Sequence, residues 1–187
     1  MKSLDKLLSS NSSEIGFFRQ SNKSIEKLNI LGITEIHSNE NKFDCDAYIV
    51  SKKKKTSRKS IGKYISSSDT NDSIKDFDFI ILENTKETKI NLLSYEKPIS
   101  IQIDHANQLT ELRLATLDSF DFDFYVYKIE KDFIFNFQEL LKMKEILNSI
   151  RSNWFIFLDK NTLSEKDIQY IYDLGFLGLI IDLDKVN

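Results

Sequence analysis

Short apolar runs of strand length recur along the chain, and segments with helical spacing lie between most of them. The runs are Ile15–Phe18, Ile33–His37, Ala47–Val50, Phe79–Leu82, Ile99–Ile103, Phe124–Tyr127, Trp154–Leu158 and Leu179–Leu183. Residues 22–31 place Ile25, Leu28 and Leu31 on one helical face, and 107–119 do the same with Leu109, Leu112, Ala115 and Thr116. Residues 136–150 carry Phe137, Leu140, Leu141, Ile146 and Leu147 near one stripe. Residues 163–174 bring Ile168, Ile171 and Tyr172 together; Thr162 stands three before Glu165 as in a capping box, and Gly175 falls where a terminating glycine belongs. Strand-length runs alternating with helical segments predict βαβ units and a mainly parallel sheet.

Three strand beginnings look alike: Phe43-Asp44-Cys45-Asp46-Ala47, Asp76-Phe77-Asp78-Phe79 and Asp121-Phe122-Asp123-Phe124. A fourth, Gly175-Phe176-Leu177-Gly178-Leu179, has Gly178 where the others are aligned on Asp46, Asp78 and Asp123. Paired acids invite a reading as metal ligands. Their position before each strand instead predicts turn residues whose carboxylates bond backbone amides, at the edge of a parallel sheet that carries stability, not chemistry. Residues 51–75 hold few large apolar side chains and two Ser/Asp clusters, and are expected to form one long, mobile, basic loop with at most a helical turn.

The segment 155–183, FIFLDKNTLSEKDIQYIYDLGFLGLIIDL, has a strand ending in Asp, a capped helix, a glycine and a second strand. It resembles the terminal strand–helix–strand of (β/α)8-barrel proteins, a likeness of fold and of no specific family. The resemblance implies a single α/β domain over 1–187 with a reduced or degenerate barrel; an open doubly wound sheet is the alternative. Residues 38–46 are few for a helical crossover, and the segment 3–9 is a candidate to stand in for a final helix.

Composition narrows the class. Of 187 residues, 41% are hydrophobic and 29% charged, which describes a globular chain. Five glycines and one proline make a turn-dense β-sandwich improbable, and the lone Cys45 excludes an internal disulfide framework. The first residues contain no apolar core of a signal peptide and no stretch long enough to span a membrane, so a cytoplasmic protein with a reduced Cys45 is expected. Cys45, beside Asp44 and Asp46, reads as a small filler and not a nucleophile.

The isolated glycines form neither a dinucleotide fingerprint nor a P-loop, and the two histidines, His37 and His105, have no zinc-site spacing; no metal or cofactor is expected. Residues 52–59, KKKKTSRK, hold six cations, and the remaining 20 basic and 29 acidic residues leave −9 on the rest of the chain. A polyanion would be repelled by that remainder, and no aromatic side chain lies in the run for stacking. The expected partners are therefore a small molecule or a protein, a second copy included, and neither nucleic acid nor membrane.

In a parallel sheet the polar residues ending each strand share one rim. Here they are Arg19, His37, Ser51 with Lys52, Glu83, Asp104 with His105, Lys128, Asp159 and Asp182. Acids and bases side by side suit acid–base chemistry on a small molecule. Asp104 and Lys128 are the candidate catalytic residues; Arg19, His37, Glu83, His105 and Asp159 are candidate binding residues. Ser100-Ile101-Gln102-Ile103-Asp104 alternates strictly, which a polar barrel lumen or an edge strand explains. Lys128 closes the sixth run after four nonpolar residues, a placement similar to that of the Schiff-base lysine of barrel aldolases. The implied activity is lyase- or isomerase-like; the alternative is a non-catalytic barrel remnant acting as scaffold or protein-interaction module.

Overall fold

The computed structural model describes residues 28–35, 42–52, 59–83, 95–105, 109–130, 133–158 and 164–186. In chain order these form β1 (Asn29–Ile33), β2 (Ala47–Ile49), β3 (Ser60–Ile65), α1 (Asn71–Ile74), β4 (Phe79–Leu82), β5 (Ile99–Asp104), α2 (Glu111–Asp118), β6 (Phe124–Ile129), α3 (Phe137–Ser149), β7 (Asn153–Leu158), α4 (Glu165–Leu174) and β8 (Gly178–Asp182). Every strand pairs in parallel with its sequence neighbour, and β8 pairs with β1 from Asn29↔Gly178 to Ile33↔Asp182. The sheet is thus a closed eight-stranded barrel, neither open nor lacking a strand. Among the described residues, no helix is long and apolar enough to cross a membrane.

Closure gives each strand an inner and an outer face, because side chains alternate along it. The register fills the lumen in layers of four. Leu31 lies between Ile180 and Ala47, Gly62 between Ile49 and Phe79, Ser100 between Ile81 and Phe124, and Phe155 between Val126 and Gly178. Large and small side chains compensate within this stack. Phe79 is fully buried, and a Cβ on Gly62 would stand 2.1 Å from its ring, so only glycine leaves the ring its place. Phe124 meets Phe79 edge-on at 5.8 Å and Phe155 at 5.5 Å, a row of T-shaped contacts across the lumen. Each such aromatic contributes about 1.5–3 kcal/mol by burial. The outward faces build a second core with the helices: Tyr125 stacks on Trp154 at 4.8 Å, while Met143 of α3 and Ile171 and Leu174 of α4 supply the helical side.

The repeated aspartates do what their position predicts. Asp46 Oδ2 accepts from the Ile30 amide at 2.9 Å, Asp78 Oδ2 from Ile61 at 2.8 Å and Asp123 Oδ2 from Ile99 at 2.8 Å. Each also donates its own amide to the same residue's carbonyl, at 2.7, 2.7 and 3.1 Å. Every even strand up to β6 is thereby clamped to the preceding odd strand at the N-terminal end of the barrel. In the last pair the equivalent donor is Leu177, whose amide meets the Trp154 carbonyl at 2.7 Å. The counterpart of the aspartates is therefore Leu177 and not Gly178, which matches Ala47, Phe79 and Phe124 one residue later.

Other expectations change. The expected loop at 51–75 contains β3 and α1, and of the basic run only Lys52 and Lys59 belong to the described residues. The strand was hidden by Gly62 and Lys63 in its middle; Lys63 extends over the Phe77 ring and pairs with Asp69, so its charge does not keep it in solvent. The helix expected over 22–31 does not extend to its end, since Asn29–Ile33 is β1 and Leu31 faces the lumen. The runs Ile15–Phe18 and residues 3–9 lie outside the described residues. The capping box of α4 uses Ser164 and Asp167, not Thr162 and Glu165, and Gly175 ends that helix at φ 98°, a left-handed conformation suited to glycine.

Candidate functional site at the barrel mouth

The lumen changes character on one side as it approaches the C-terminal ends of the strands. Below that level the layers are mostly hydrocarbon. Above it, period-two alternation places Tyr64 of β3, Gln102 and Asp104 of β5 and Lys128 of β6 inward, with Glu83 just beyond β4. Gln102 is 5% exposed; its Nε2 donates to Asp104 Oδ1 at 3.0 Å. Lys128 Nζ lies 3.9 Å from Glu83 Oε1 and 5.6 Å from the centre of the Phe157 ring. A carboxylate and an aromatic face are both partners of an ammonium. Burial first, then the charges of Glu83 and Asp104, push the Tyr64 phenol well above its ordinary range, which keeps it a neutral hydroxyl.

Three buried polar atoms in this column have no hydrogen-bond partner: Tyr64 Oη, Gln102 Oε1 and, one layer deeper, Ser100 Oγ. A buried polar atom left unpaired costs about 1–3 kcal/mol, and native interiors leave few of them. The three are concentrated in β3 and β5, beneath Glu83, Asp104 and Lys128. The strict alternation of β5 was the visible signal for Gln102 and Ser100, and the lumen, not an edge, accounts for it.

Of the residues expected on this rim, Glu83, Asp104 and Lys128 come together; His105 does not join them. As the residue after Asp104 it points outward, and its Nδ1 lies 2.7 Å from Tyr127 Oη with Nε2 3.1 Å from Glu139 of α3 and Phe133 edge-on at 4.9 Å. Alternation decides this: neighbours on a strand face opposite sides. Lys128 lies within β6 and does not close it. Ser51 is held by Glu35, and Asp182 pairs with Lys185 at 3.1 Å. Arg19, His37 and Asp159 lie outside the described residues. Tyr64 joins Glu83, Asp104 and Lys128 from β3, a strand whose sequence, with Gly62 and Lys63 at its centre, has the composition of a loop.

Solved structures share this architecture. Thiamine phosphate pyrophosphorylase from Pyrococcus furiosus is similar at 11% identity and a TM-score of 0.56, over 82% of this chain and 85% of that one. An HpcH/HpaI aldolase from Desulfitobacterium hafniense is similar at 9% identity and a TM-score of 0.53, over 83% and 86%. The likeness is one of fold. No family model and no curated protein matches the chain.

A separate cleft of about 180 Å³ lies on the outside of the barrel, lined by Ile30, Phe43, Asp44, Cys45, Ile181, Leu183 and Val186. It is largely apolar, and its one nucleophile is disarmed. Burial, opposed by Lys59 and reinforced by Asp46 and Asp44, pushes the Cys45 thiol up to about 11. The mouth, with its mixed charges and unpaired polar atoms, is the better equipped of the two for recognition.

Proposed function

We propose that this barrel is a cytoplasmic protein that takes a small polar molecule at the C-terminal ends of its strands, with lyase- or isomerase-like chemistry at Asp104 and Lys128. The carrying observation is the pair of unpartnered buried atoms, Tyr64 Oη and Gln102 Oε1, directly below those two side chains. In this reading Asp104 moves a proton, its carboxylate oriented by Gln102. Lys128 meets a ligand carbonyl or carboxylate, and Tyr64 donates its phenolic hydrogen. The names of the two similar structures, a pyrophosphorylase and an aldolase, are compatible with catalysis at such a mouth and add nothing on substrate.

An NMR fragment screen on the uniformly labelled chain tests the site. Fragments are expected to shift the Gln102 side-chain amide and the β5 and β6 amides, and Asp104→Asn with Lys128→Met should abolish those shifts while preserving the fold. Fragments collecting in the cleft beside Cys45 and sparing β5 would overturn the proposal.

A second reading, the non-catalytic interaction module, draws on one observation. Leu112 of α2 and Ile134, Phe137 and Leu141 at or before α3 are exposed, at 79%, 74%, 77% and 45%, on neighbouring helices. A barrel with an inert mouth and a sticky helical flank would fit that role.

A further inference from the structure

The polar atoms of the mouth are not evenly divided between the two roles in a hydrogen bond. Glu83 and Asp104 are acceptors, and Gln102 gives one of its two Nε2 hydrogens to Asp104 and holds a bare carbonyl oxygen, Oε1, in the lumen. Gln102 is 5% exposed, so bulk water does not serve that oxygen. Of these three acceptors Gln102 Oε1 is the one without a donor, since Lys128 stands 3.9 Å from Glu83 and Gln102 itself serves Asp104. Charge is weighted the same way without being one-sided: among the described residues at this end, the acids Glu35, Glu83, Asp104, Asp182 and Asp184 stand with the cations Lys52, Lys128 and Lys185. Lys185 is committed to Asp182. A phosphate would enter against that field, whereas an ammonium brings three N–H donors and the charge the acids call for.

We infer that the ligand carries a primary ammonium, seated between Gln102 Oε1 and the Asp104 and Glu83 carboxylates, with an acceptor group at its other end meeting Lys128 and the Tyr64 hydroxyl. The inference rests on the mouth being the binding site, as proposed above, and adds the class of molecule. A divalent cation is the competing occupant for two carboxylates and an amide oxygen. Lys128, whose ammonium lies 3.9 Å from Glu83, repels a second positive charge of either kind. An organic ammonium with a carboxylate or carbonyl tail turns that same lysine into a partner.

A four-carbon series separates the classes: 4-aminobutanoate, butylamine, butanoate and butyl phosphate, each titrated into the labelled full chain and read at the Gln102 side-chain amide. The expected result is that 4-aminobutanoate and butylamine shift that signal, the former more tightly, and that butanoate and butyl phosphate do not. Asp104→Asn should weaken both amines at least tenfold, and Glu83→Gln, at an exposed position tolerant of change, should weaken them several-fold with the thermal midpoint unchanged. Lys128→Met should remove the preference for 4-aminobutanoate over butylamine. Tighter binding of butyl phosphate, or magnesium chloride shifting the same amide in an Asp104-dependent way, overturns the ammonium assignment and leaves the mouth as the site. If neither this series nor the fragment screen moves any residue of the mouth, the site itself falls, and the class with it.

Discussion

Replacing Asp78 by Ala isolates the device that holds the N-terminal end of the barrel together. The carboxylate accepts the Ile61 amide at 2.8 Å while the Asp78 amide donates to the Ile61 carbonyl at 2.7 Å. Alanine keeps the second bond and deletes the first. Ile61 is 2% exposed, so its amide has little access to water once the carboxylate is gone. A charge-assisted bond contributes about 1.5–3 kcal/mol, and the stranded donor keeps the loss toward that range. For a chain of this size, 1 kcal/mol corresponds to roughly 2–4 °C in the thermal midpoint, so the variant should melt several degrees lower. Asn, which retains an oxygen but not the charge, should lose less. In urea unfolding the midpoint should fall with an unchanged slope. Asp46 and Asp123 hold equivalent places two strands away on either side, about 10 Å by strand spacing, far enough for their effects to add. The triple alanine variant should therefore lose a large part of the roughly 5–15 kcal/mol that such domains possess. A loss below about 0.5 kcal/mol for Asp78→Ala refutes the reasoning on the buried-amide cost. A rise in the wild-type midpoint with divalent cation, absent from the variant, refutes the assignment of these acids to backbone amides.

Two further outcomes follow from the packing and from the thiol. Gly62→Ala places a Cβ 2.1 Å from the fully buried Phe79 ring and should cost at least the ~1–3 kcal/mol typical of overpacking; adding Phe79→Leu should recover part of the loss, and a wild-type-like midpoint for Gly62→Ala alone would show that the layer has slack. Cys45, pushed up to about 11 from an ordinary value of 9.0, should be alkylated far more slowly at pH 8 in the folded chain than after unfolding. Because the folded value is the raised one, the stability linked to the neutral thiol is full below pH 9 and lost as pH rises through about 11; Cys45→Ala should flatten the wild-type decline across that window in denaturant midpoints taken at successive pH values.

Much of the barrel was legible because most strands are apolar on both faces, as a sheet wrapped by helices requires. Phe79–Leu82, Phe124–Tyr127 and Trp154–Leu158 stand out for that reason and match β4, β6 and β7 closely. β3 did not stand out. Its inward positions are Ser60, Gly62 and Tyr64, and the outward Lys63 resembles a solvated loop residue until Phe77 and Asp69 are brought beside it by the fold. Strand β1 is obscured for a different cause: Leu28 and Leu31 share a helical spacing, yet Leu28 belongs to the outer core and Leu31 to the lumen. Three residues apart is a helix neighbour and also an inside–outside pair on a strand, and only the partner strands distinguish them.

The site shows the same division. Asp104 and Asp78 are the same side chain on the same kind of strand, and nothing local separates a clamp from a ligand group. The difference is which end of the strand each occupies. At the N-terminal end the barrel presents amides with no other taker, and Asp78 satisfies one. At the C-terminal end Asp104 accepts from a side chain, Gln102, whose own carbonyl is left open. Strand direction, which the βαβ alternation did reveal, therefore carries the functional distinction. What it could not reveal is the company Asp104 keeps. Tyr64 arrives from a strand 40 residues earlier, and the pairing of β3, β4 and β5 brings its hydroxyl under the field of Glu83 and Asp104. A chain that needed only stability would fill those inner positions with hydrocarbon, as it does at Ile81 and Val126, their register partners on β4 and β6. Keeping Tyr64 Oη, Ser100 Oγ and Gln102 Oε1 buried and unpaired lowers stability, a cost that a polar ligand of the kind proposed would offset.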